Sequence, residues 1–218
     1  MNDTETGCER EFDFTLILSD IPELTETVEN SLFEAGCDDA TIAIRGGRLF
    51  LTFSRDALTL KAAILSAIRN VRAAKIGADV LRVDYCNLVT QAEIARRANR
   101  SRQLIHQYIT GVRGSGKFPP PACDIADGAQ LWYWCEVANW LVVNGMLKPD
   151  VLRAAEEVDA INSVLEFGRQ RHGRSSLLKE VLRSLFPKKL SASIISAMKE
   201  TEISTPGSHE KPTPRHKV

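Results

Sequence analysis

The chain has 218 residues, with 44% hydrophobic and 26% charged side chains and a formal net charge of zero, a composition typical of globular proteins. No apolar run approaches the roughly 20 residues that a membrane-spanning helix needs, and the acidic, polar start MNDTETGCEREFDF does not resemble a signal peptide. The five cysteines are scattered and form no C-x-x-C pair, which predicts a reduced cytoplasmic protein without a disulfide framework.

The first part of the chain predicts an α+β domain with the element order β-α-β-β-α-β, the split βαβ arrangement of a ferredoxin-like sandwich. Period-2 alternation in FDFTLILSD, ATIAIR and RLFLTFSR indicates strands, and Gly46-Gly47 is a strong hairpin signal. The predicted elements are a strand over 12–20, a helix over 22–35 opened by Pro22, the two hairpin strands, a helix from Asp56 to about 74 with Leu58 on its apolar stripe, and a strand over 79–85.

The rest of the chain is expected to be mostly helical. The predicted elements are two helices over about 90–110, a Gly/Pro-rich stretch, a short hairpin with an Asp127-Gly128 turn, and helices over about 134–145, 150–167, 176–186 and 190–200, with a basic break GRQRHGRSS before 176. The predicted divisions are a flexible N-terminus (1–11), the ferredoxin-like domain (12–86), a second domain (87–147), C-terminal helices (148–203) and a disordered tail (204–218).

The zero net charge hides a strong segregation of charge along the chain. Residues 1–85 carry 15 acidic and 9 basic side chains, whereas residues 90–117 carry six basic ones against Glu93 alone. This asymmetry favours a polyanionic partner for the middle of the chain.

The basic segment VTQAEIARRANRSRQLIHQYITG, residues 89–111, has the pattern of two short helices joined by a sharp turn. Thr90 and Glu93 predict a capping box, Asn99 is suited to a left-handed turn, and Ser101 is expected to cap the second helix. Ile94 and Ala98 on the first helix, and Ile105, Tyr108 and Ile109 on the second, are predicted to face inward. Arg96 and Arg97 are placed on the outer side of the first helix, where solvation and phosphate contact are equally expected.

This segment resembles the helix-turn-helix of the phage-repressor type, with Asn99 standing where glycine is usual. The resemblance implies that the second helix, about residues 101–110, lies in the major groove as the recognition helix. Arg102 would pair with guanine, Gln103 or Gln107 with adenine, and Gln91 and Arg100 would lie near phosphates. The expected DNA-contacting residues are Gln91, Arg100, Ser101, Arg102, Gln103, His106, Gln107, Arg113 and Lys117.

The following stretch, residues 111–141, resembles the segment after the motif in small regulators of the AlpA and MerR type. Trp132, Trp134, Val137, Trp140 and Leu141 fit the tryptophan-rich helix of those proteins. The resemblance implies a β-hairpin wing and a supporting helix, and so an overall α+β fold with a ferredoxin-like sandwich, a winged helix-turn-helix domain and C-terminal helices. The glycine-rich loop would bring Arg113 and Lys117 close to the DNA backbone.

Several other residue groups have a functional and an ordinary interpretation. The three tryptophans are expected in the core rather than as a stacking platform for single strands. Cys123, Cys135 and His106 match no zinc spacing, and Asp38-Asp39 is better explained as a polar turn than as catalytic carboxylates. The basic stretch over 169–176 is either a solvated loop or an arm on the phosphate backbone.

The sequence therefore predicts a cytoplasmic, sequence-specific regulator of transcription, of the repressor type, that binds double-stranded DNA as a homodimer and is neither an enzyme nor dependent on a cofactor or metal. The N-terminal domain would dimerise, sense a ligand or bind a protein partner. One alternative is a DNA-binding antitoxin or an accessory factor for excision or recombination. Another is an enzyme with its activity in the sandwich, although no set of polar residues supports one.

Overall fold

The computed structural model describes residues 9–19, 21, 23–124, 130–173 and 175–200. Within these ranges the protein is of mixed α+β class, as predicted. The chain forms two compact units whose boundary lies between Glu166 and Phe167. None of the helices in the described ranges is both long and apolar enough to cross a bilayer.

The first unit begins with a four-stranded sheet and two helices. Its elements are β1 (Arg10–Leu18), α1 (Glu26–Glu34), β2 (Ala40–Arg45), β3 (Arg48–Ala57), α2 (Leu60–Ala73) and β4 (Val80–Val83). The strand order is β2-β3-β1-β4, and every neighbouring pair is antiparallel. We refer to these elements as the sandwich.

The alternation of side chains along β1 determines which face of the sheet is covered. Leu16 and Leu18 are fully buried with Leu51 of β3 in the core to which α1 and α2 contribute. Thr15, just before Leu16, lies on the other face, where its hydroxyl contacts that of Thr52 at 3.0 Å, and Ile17 is buried on that same face. Because side chains of a strand point alternately to its two faces, this register follows from the sequence pattern.

The hairpin between β2 and β3 is confirmed, but the predicted starts of both helices are wrong. Both glycines of the hairpin turn have positive φ, which that tight turn requires. Helix α1 begins at Glu26 rather than 22, because the hydroxyl of Thr25 caps it by accepting from the Val28 amide. Pro22 lies outside the described residues.

Helix α2 is capped by Thr59 and not by Asp56, because β3 continues through Asp56 to Ala57. The end of β3 pairs with the start of β1, where Ala57 lies opposite Arg10. Leu58 is consequently 59% exposed rather than on the apolar stripe of α2. The same pairing places Arg10 in a strand, although the sequence predicted a flexible segment up to residue 11.

The second part of the first unit surrounds a core rich in tryptophan. Its elements are β5 (Leu88–Val89), α3 (Gln91–Arg97), α4 (Arg102–Ile109), β6 (Cys123–Asp124), β7 (Gln130–Tyr133) and α5 (Trp134–Val143). Strand β7 lies between β5 and β6 and is antiparallel to both. The turn predicted at Asp127-Gly128 lies outside the described residues.

Helix α6 (Pro149–Gly173) contributes to both cores of the first unit. Ala155 packs in the tryptophan-rich core, while Val158 and Ile161 pack in the core of the sandwich. The helix also continues past its predicted end at 167 into the predicted basic break, as far as Gly173. Its arginines and glutamine are good helix formers, and an isolated glycine such as Gly168 costs a helix only about 1 kcal/mol.

The second unit begins within α6, at Phe167, and also contains α7 (Ser175–Leu185) and α8 (Lys188–Glu200). Both helices lie within two residues of their predicted bounds. Leu182 and Ile195 are buried between them. The predicted tail over 204–218 lies outside the described residues.

Candidate nucleic-acid interface

The turn between α3 and α4 is built from three local features that the sequence predicted. The hydroxyl of Thr90 accepts a hydrogen bond from the Glu93 amide and caps α3. Asn99 has φ 50°, the left-handed conformation that asparagine tolerates better than most residues. The hydroxyl of Ser101 accepts from the Leu104 amide and caps α4. These contacts fix where each helix begins and how the chain reverses between them.

The inner faces of α3 and α4 pack against the tryptophan-rich core. Ile94 and Ile105 are fully buried, and Tyr108 is nearly so. The small Ala95 and Ala98 are buried on α3, which allows a second helix to approach closely. Burial of one face of α4 leaves its opposite face directed to solvent.

The outward face of α4 contains the side chains that the sequence singled out. Arg102, Gln103 and His106 are exposed, and Gln107 is half-buried. No hydrogen bond or ion pair to any of these four side chains occurs within the described part of the chain. Thr110, which the sequence interpretation missed, lies on the same face four residues after His106 and could have been found from that spacing.

Gln91 joins α3 to the start of α4. Its side-chain amide donates a hydrogen bond of 2.8 Å to the backbone carbonyl of Arg102. The carbonyl is in the first turn of α4, so this bond couples the orientation of the two helices. The expected phosphate contact of Gln91 stays a prediction, and the structure adds a positioning contact to it.

The two adjacent arginines of α3 differ, contrary to the expectation that both lie on its outer side. Arg96 is exposed, whereas the side chain of Arg97 is only 12% exposed. Both donate to the carboxylate of Glu93, and these hydrogen bonds, from Arg96 most of all, hold the pKa of Glu93 at about 2. Glu93 therefore keeps its negative charge and pairs with Arg96 and Arg97, while its backbone amide donates to the hydroxyl of Thr90.

Arg97 lies inside because two aromatic rings enclose its guanidinium. The guanidinium carbon is 4.4 Å from the ring centre of Tyr85 and 5.2 Å from that of Trp134. Burial raises the pKa of the Tyr85 hydroxyl despite the nearby positive charge of Arg97. Arg97 is therefore part of the core and unavailable to a phosphate.

The loop after α4 carries Arg113 and Lys117, both exposed, and is held in place by tryptophan. The indole N–H of Trp140 donates to the carbonyl of Gly116 at 2.9 Å, and its ring packs 5.2 Å from that of Tyr108. The indole N–H of Trp132 donates to the carbonyl of a proline in the same loop at 3.2 Å. The tryptophans are buried, as predicted, and they also position this loop, a role that local sequence patterns do not reveal.

The electrostatic character of this surface follows from its composition and its pairing. Residues 94–123 contain six lysines and arginines and neither aspartate nor glutamate. Of these cations, Arg96 and Arg97 are paired with Glu93. Arg100, the outward face of α4 and the loop cations have no ion-pair partner among the described residues. We call Arg100, Arg102, Gln103, His106, Gln107, Arg113 and Lys117 the basic surface.

The other residue groups that the sequence singled out have structural roles or lack the arrangement that a catalytic or metal site needs. Asp39 binds Arg55 through both carboxylate oxygens, at 2.6 and 2.7 Å, and so holds the turn after α1. In the described ranges no three His, Cys, Asp or Glu side chains are grouped so as to hold a metal. Burial raises the pKa of the Cys135 thiol to about 11, which keeps it protonated at neutral pH.

Comparison with known proteins gave no family to which the chain can be assigned. No protein-family model, no curated protein and no solved structure matches it.

Proposed function

We propose that this protein binds double-stranded DNA in a sequence-specific manner and regulates transcription, with α4 as its recognition helix. The observation that carries the proposal is the basic surface. Its side chains are exposed, apart from the half-buried Gln107, and form no ion pair among the described residues, and residues 94–123 contain no carboxylate. DNA is the polyanion that suits it, because an α-helix that exposes one face, as α4 does, has dimensions that fit the major groove.

The residues on α4 have the chemistry for reading base edges. Arg102 is in the first turn, and its guanidinium can donate two parallel hydrogen bonds to guanine O6 and N7. Gln103 and Gln107 each carry an amide that can both donate to and accept from adenine. His106 also lies on the outward face and supplies an imidazole for a base or a phosphate.

The flanking residues are suited to phosphate contacts that fix the helix in the groove. Arg100 and Ser101 are exposed at the turn before α4, and Arg113 and Lys117 are exposed on the loop after it. Cations on both sides of the reading helix would meet the two backbone strands that border a groove. Gln91 would orient α4 through its bond to Arg102 and reach a phosphate with its remaining polar atoms.

The remaining elements complete the proposal. The order β2-β3-β1-β4 and the element sequence support a ferredoxin-like sandwich at residues 10–83. Strands β6 and β7 would serve as the wing of a winged helix-turn-helix domain. We further propose that the protein acts in the cytoplasm as a homodimer, since two half-sites multiply specificity.

The test is selection of bound fragments from a random pool of duplex DNA, followed by anisotropy titration of the selected site. We expect Arg102→Ala and Gln103→Ala each to cost about 1–3 kcal/mol of binding free energy and to relax the preferred base at one position. Arg69→Ala, which removes an exposed arginine from α2 in the sandwich, is the matched control and should leave affinity unchanged.

The salt dependence of the same titration tests whether phosphates take part. Affinity should fall steeply as salt rises, because each phosphate contact releases bound counterions. Failure to select any sequence, a flat salt response, or equal affinity in the α4 variants and the control would each contradict the proposal.

A further inference from the structure

The part of the second unit that the structure describes buries too little apolar surface to account for its own folding. Among its described side chains, the buried apolar residues are Leu182 of α7 and Ile195 of α8, with Leu178 and Ile194 half-buried beside them. Isolated helices of this length are marginal in water, and units with so small a core usually need a partner.

An apolar line along α7 remains exposed next to this small core. Leu177, Val181 and Leu185 follow each other at intervals of four residues, so they form one line on the helix surface. They are 54%, 41% and 71% exposed. Phe186 and Leu190, after the end of α7 and in the first turn of α8, are exposed as well. We call Leu177, Val181 and Leu185 the α7 stripe.

The positions of the charged residues on α7 indicate whether the partner of the α7 stripe is anionic or apolar. Residues 167–200 carry eight basic and two acidic side chains, which would favour a polyanion if the cations bordered the stripe. Lys179 and Arg183 are each two residues from Val181, which corresponds to about 200° around the helix. These cations therefore lie on the opposite side of α7. An uncharged stripe suits another apolar surface better than a nucleic acid or an acidic peptide.

The size of the exposed surface is suited to a second copy of the chain. The α7 stripe with Phe186 and Leu190 offers on the order of 350 Å² of apolar surface, estimated from their exposed fractions and the area of a fully exposed aliphatic side chain. A standard interface buries about 800 Å² on each partner, of which about 65% is apolar in homodimers. The surface thus supplies most of the apolar area that a stable dimer needs.

We propose that the α7 stripes of two copies pack against each other and hold the protein as a homodimer. Two α7–α8 pairs would together form a four-helix arrangement, in which the stripe of each copy is covered and the cations of α7 face outward. The inference rests on the dimeric state proposed above but on none of the DNA contacts, so the two proposals can fail separately.

The experiment is sedimentation equilibrium of the full chain and of a Val181→Glu/Leu185→Glu variant. We expect the wild-type chain to be a dimer at micromolar concentration and the variant to dissociate at least about 100-fold more readily, because it would bring four carboxylates together in an apolar contact. Val143→Glu places a single carboxylate at an exposed valine of α5 in the first unit, and this control should remain dimeric.

A milder variant separates loss of the dimer from loss of the fold. Leu185 is the last residue of α7 and is mostly exposed, so Leu185→Gln should leave the helix content by circular dichroism unchanged and still weaken the dimer about tenfold. A monomeric wild-type chain, or variants that dimerise as tightly as Val143→Glu, would overturn the inference. Unchanged affinity of the monomeric variant for a single half-site would show that the DNA proposal stands apart from it.

Discussion

Arg55 of the sandwich and the arginines of the basic surface lie in opposite environments. In the sandwich, Arg55 is buried, and its three guanidinium nitrogens donate to the carboxylate of Asp39, the hydroxyl of Ser66 and a backbone carbonyl. On the basic surface, Arg100 and Arg102 are exposed and have no partner among the described residues. The first arrangement stabilises the fold, and the second leaves positive charge for a ligand. The number of arginines in a segment is therefore less informative than how many of them the fold pairs.

The largest effect that this comparison predicts is in the sandwich. Asp39→Ala should lower the free energy of unfolding by about 3 kcal/mol, since it leaves the guanidinium of Arg55 buried without its counter-charge. Urea unfolding at neutral pH measures this change.

The neighbouring carboxylate provides the control for that substitution. Asp38 is exposed, so Asp38→Ala should change stability by no more than about 0.5 kcal/mol. Similar losses in the two variants would mean that the ion pair contributes nothing particular to the sandwich.

The local features of the candidate interface could be predicted from the sequence because they depend on neighbouring residues alone. A cap at Thr90 or Ser101 requires only an amide three residues away, and the turn at Asn99 requires only a tolerated backbone conformation. The strand alternation that places Leu16 in the core is similarly local. These features and the order of elements in the sandwich were predicted correctly from the sequence alone.

The errors concern features that distant parts of the chain determine. Asp56 looked like a helix cap because nothing nearby reveals that β3 is extended by pairing with Arg10 of β1. Arg97 looked exposed because helical periodicity contains no information about Tyr85 and Trp134, which enclose it. For the same reason, the sequence could not show which cations of the basic segment remain unpaired.

The second prediction concerns how the tryptophan-rich core positions the loop of the basic surface. At Gly114, with φ 93°, an added Cβ would lie 3.1 Å from the Tyr108 ring and 3.2 Å from the Trp140 ring. Gly114→Ala should therefore lower the free energy of unfolding by about 2 kcal/mol, from backbone strain and from crowding of these rings. Thermal or urea unfolding gives this value, and the same variant should bind selected DNA more weakly, because the loop that carries Arg113 is displaced.

A variant at Gly116 separates the effect of backbone strain from that of crowding against the aromatic rings. Its φ is 73°, but an added Cβ would meet no atom within 4 Å. Gly116→Ala should cost only the backbone strain, about 1 kcal/mol. If the two glycine variants lose equal stability, packing of the loop on Trp140 does not hold it in place.

The smallest expected effect on stability is in α3, where the carboxylate of Glu93 is paired with the exposed Arg96 and the enclosed Arg97. The pKa of Glu93 is about 2 in the folded protein, below the ordinary value of 4.5, because hydrogen bonds from Arg96 and Arg97 favour the charged form. A group with a lowered pKa stabilises the fold fully when the pH is above the group's ordinary pKa. This stabilisation is lost as the pH falls towards 2. Glu93→Gln should thus cost about 1 kcal/mol at pH 7, a figure that allows for solvent screening of a partly exposed group.

The pH dependence of that difference decides whether the ion pairs of α3 are the cause. The gap in unfolding free energy between the wild-type chain and Glu93→Gln should be constant from pH 7 to about pH 5 and then narrow steadily towards pH 3. A gap that stays the same across this range would mean that glutamine disturbs α3 by its shape rather than by its lost charge. In that case the enclosure of Arg97 by aromatic rings would suffice to keep it inside. Arg96 would then be as free as Arg100 to meet a phosphate, and the basic surface would extend onto α3.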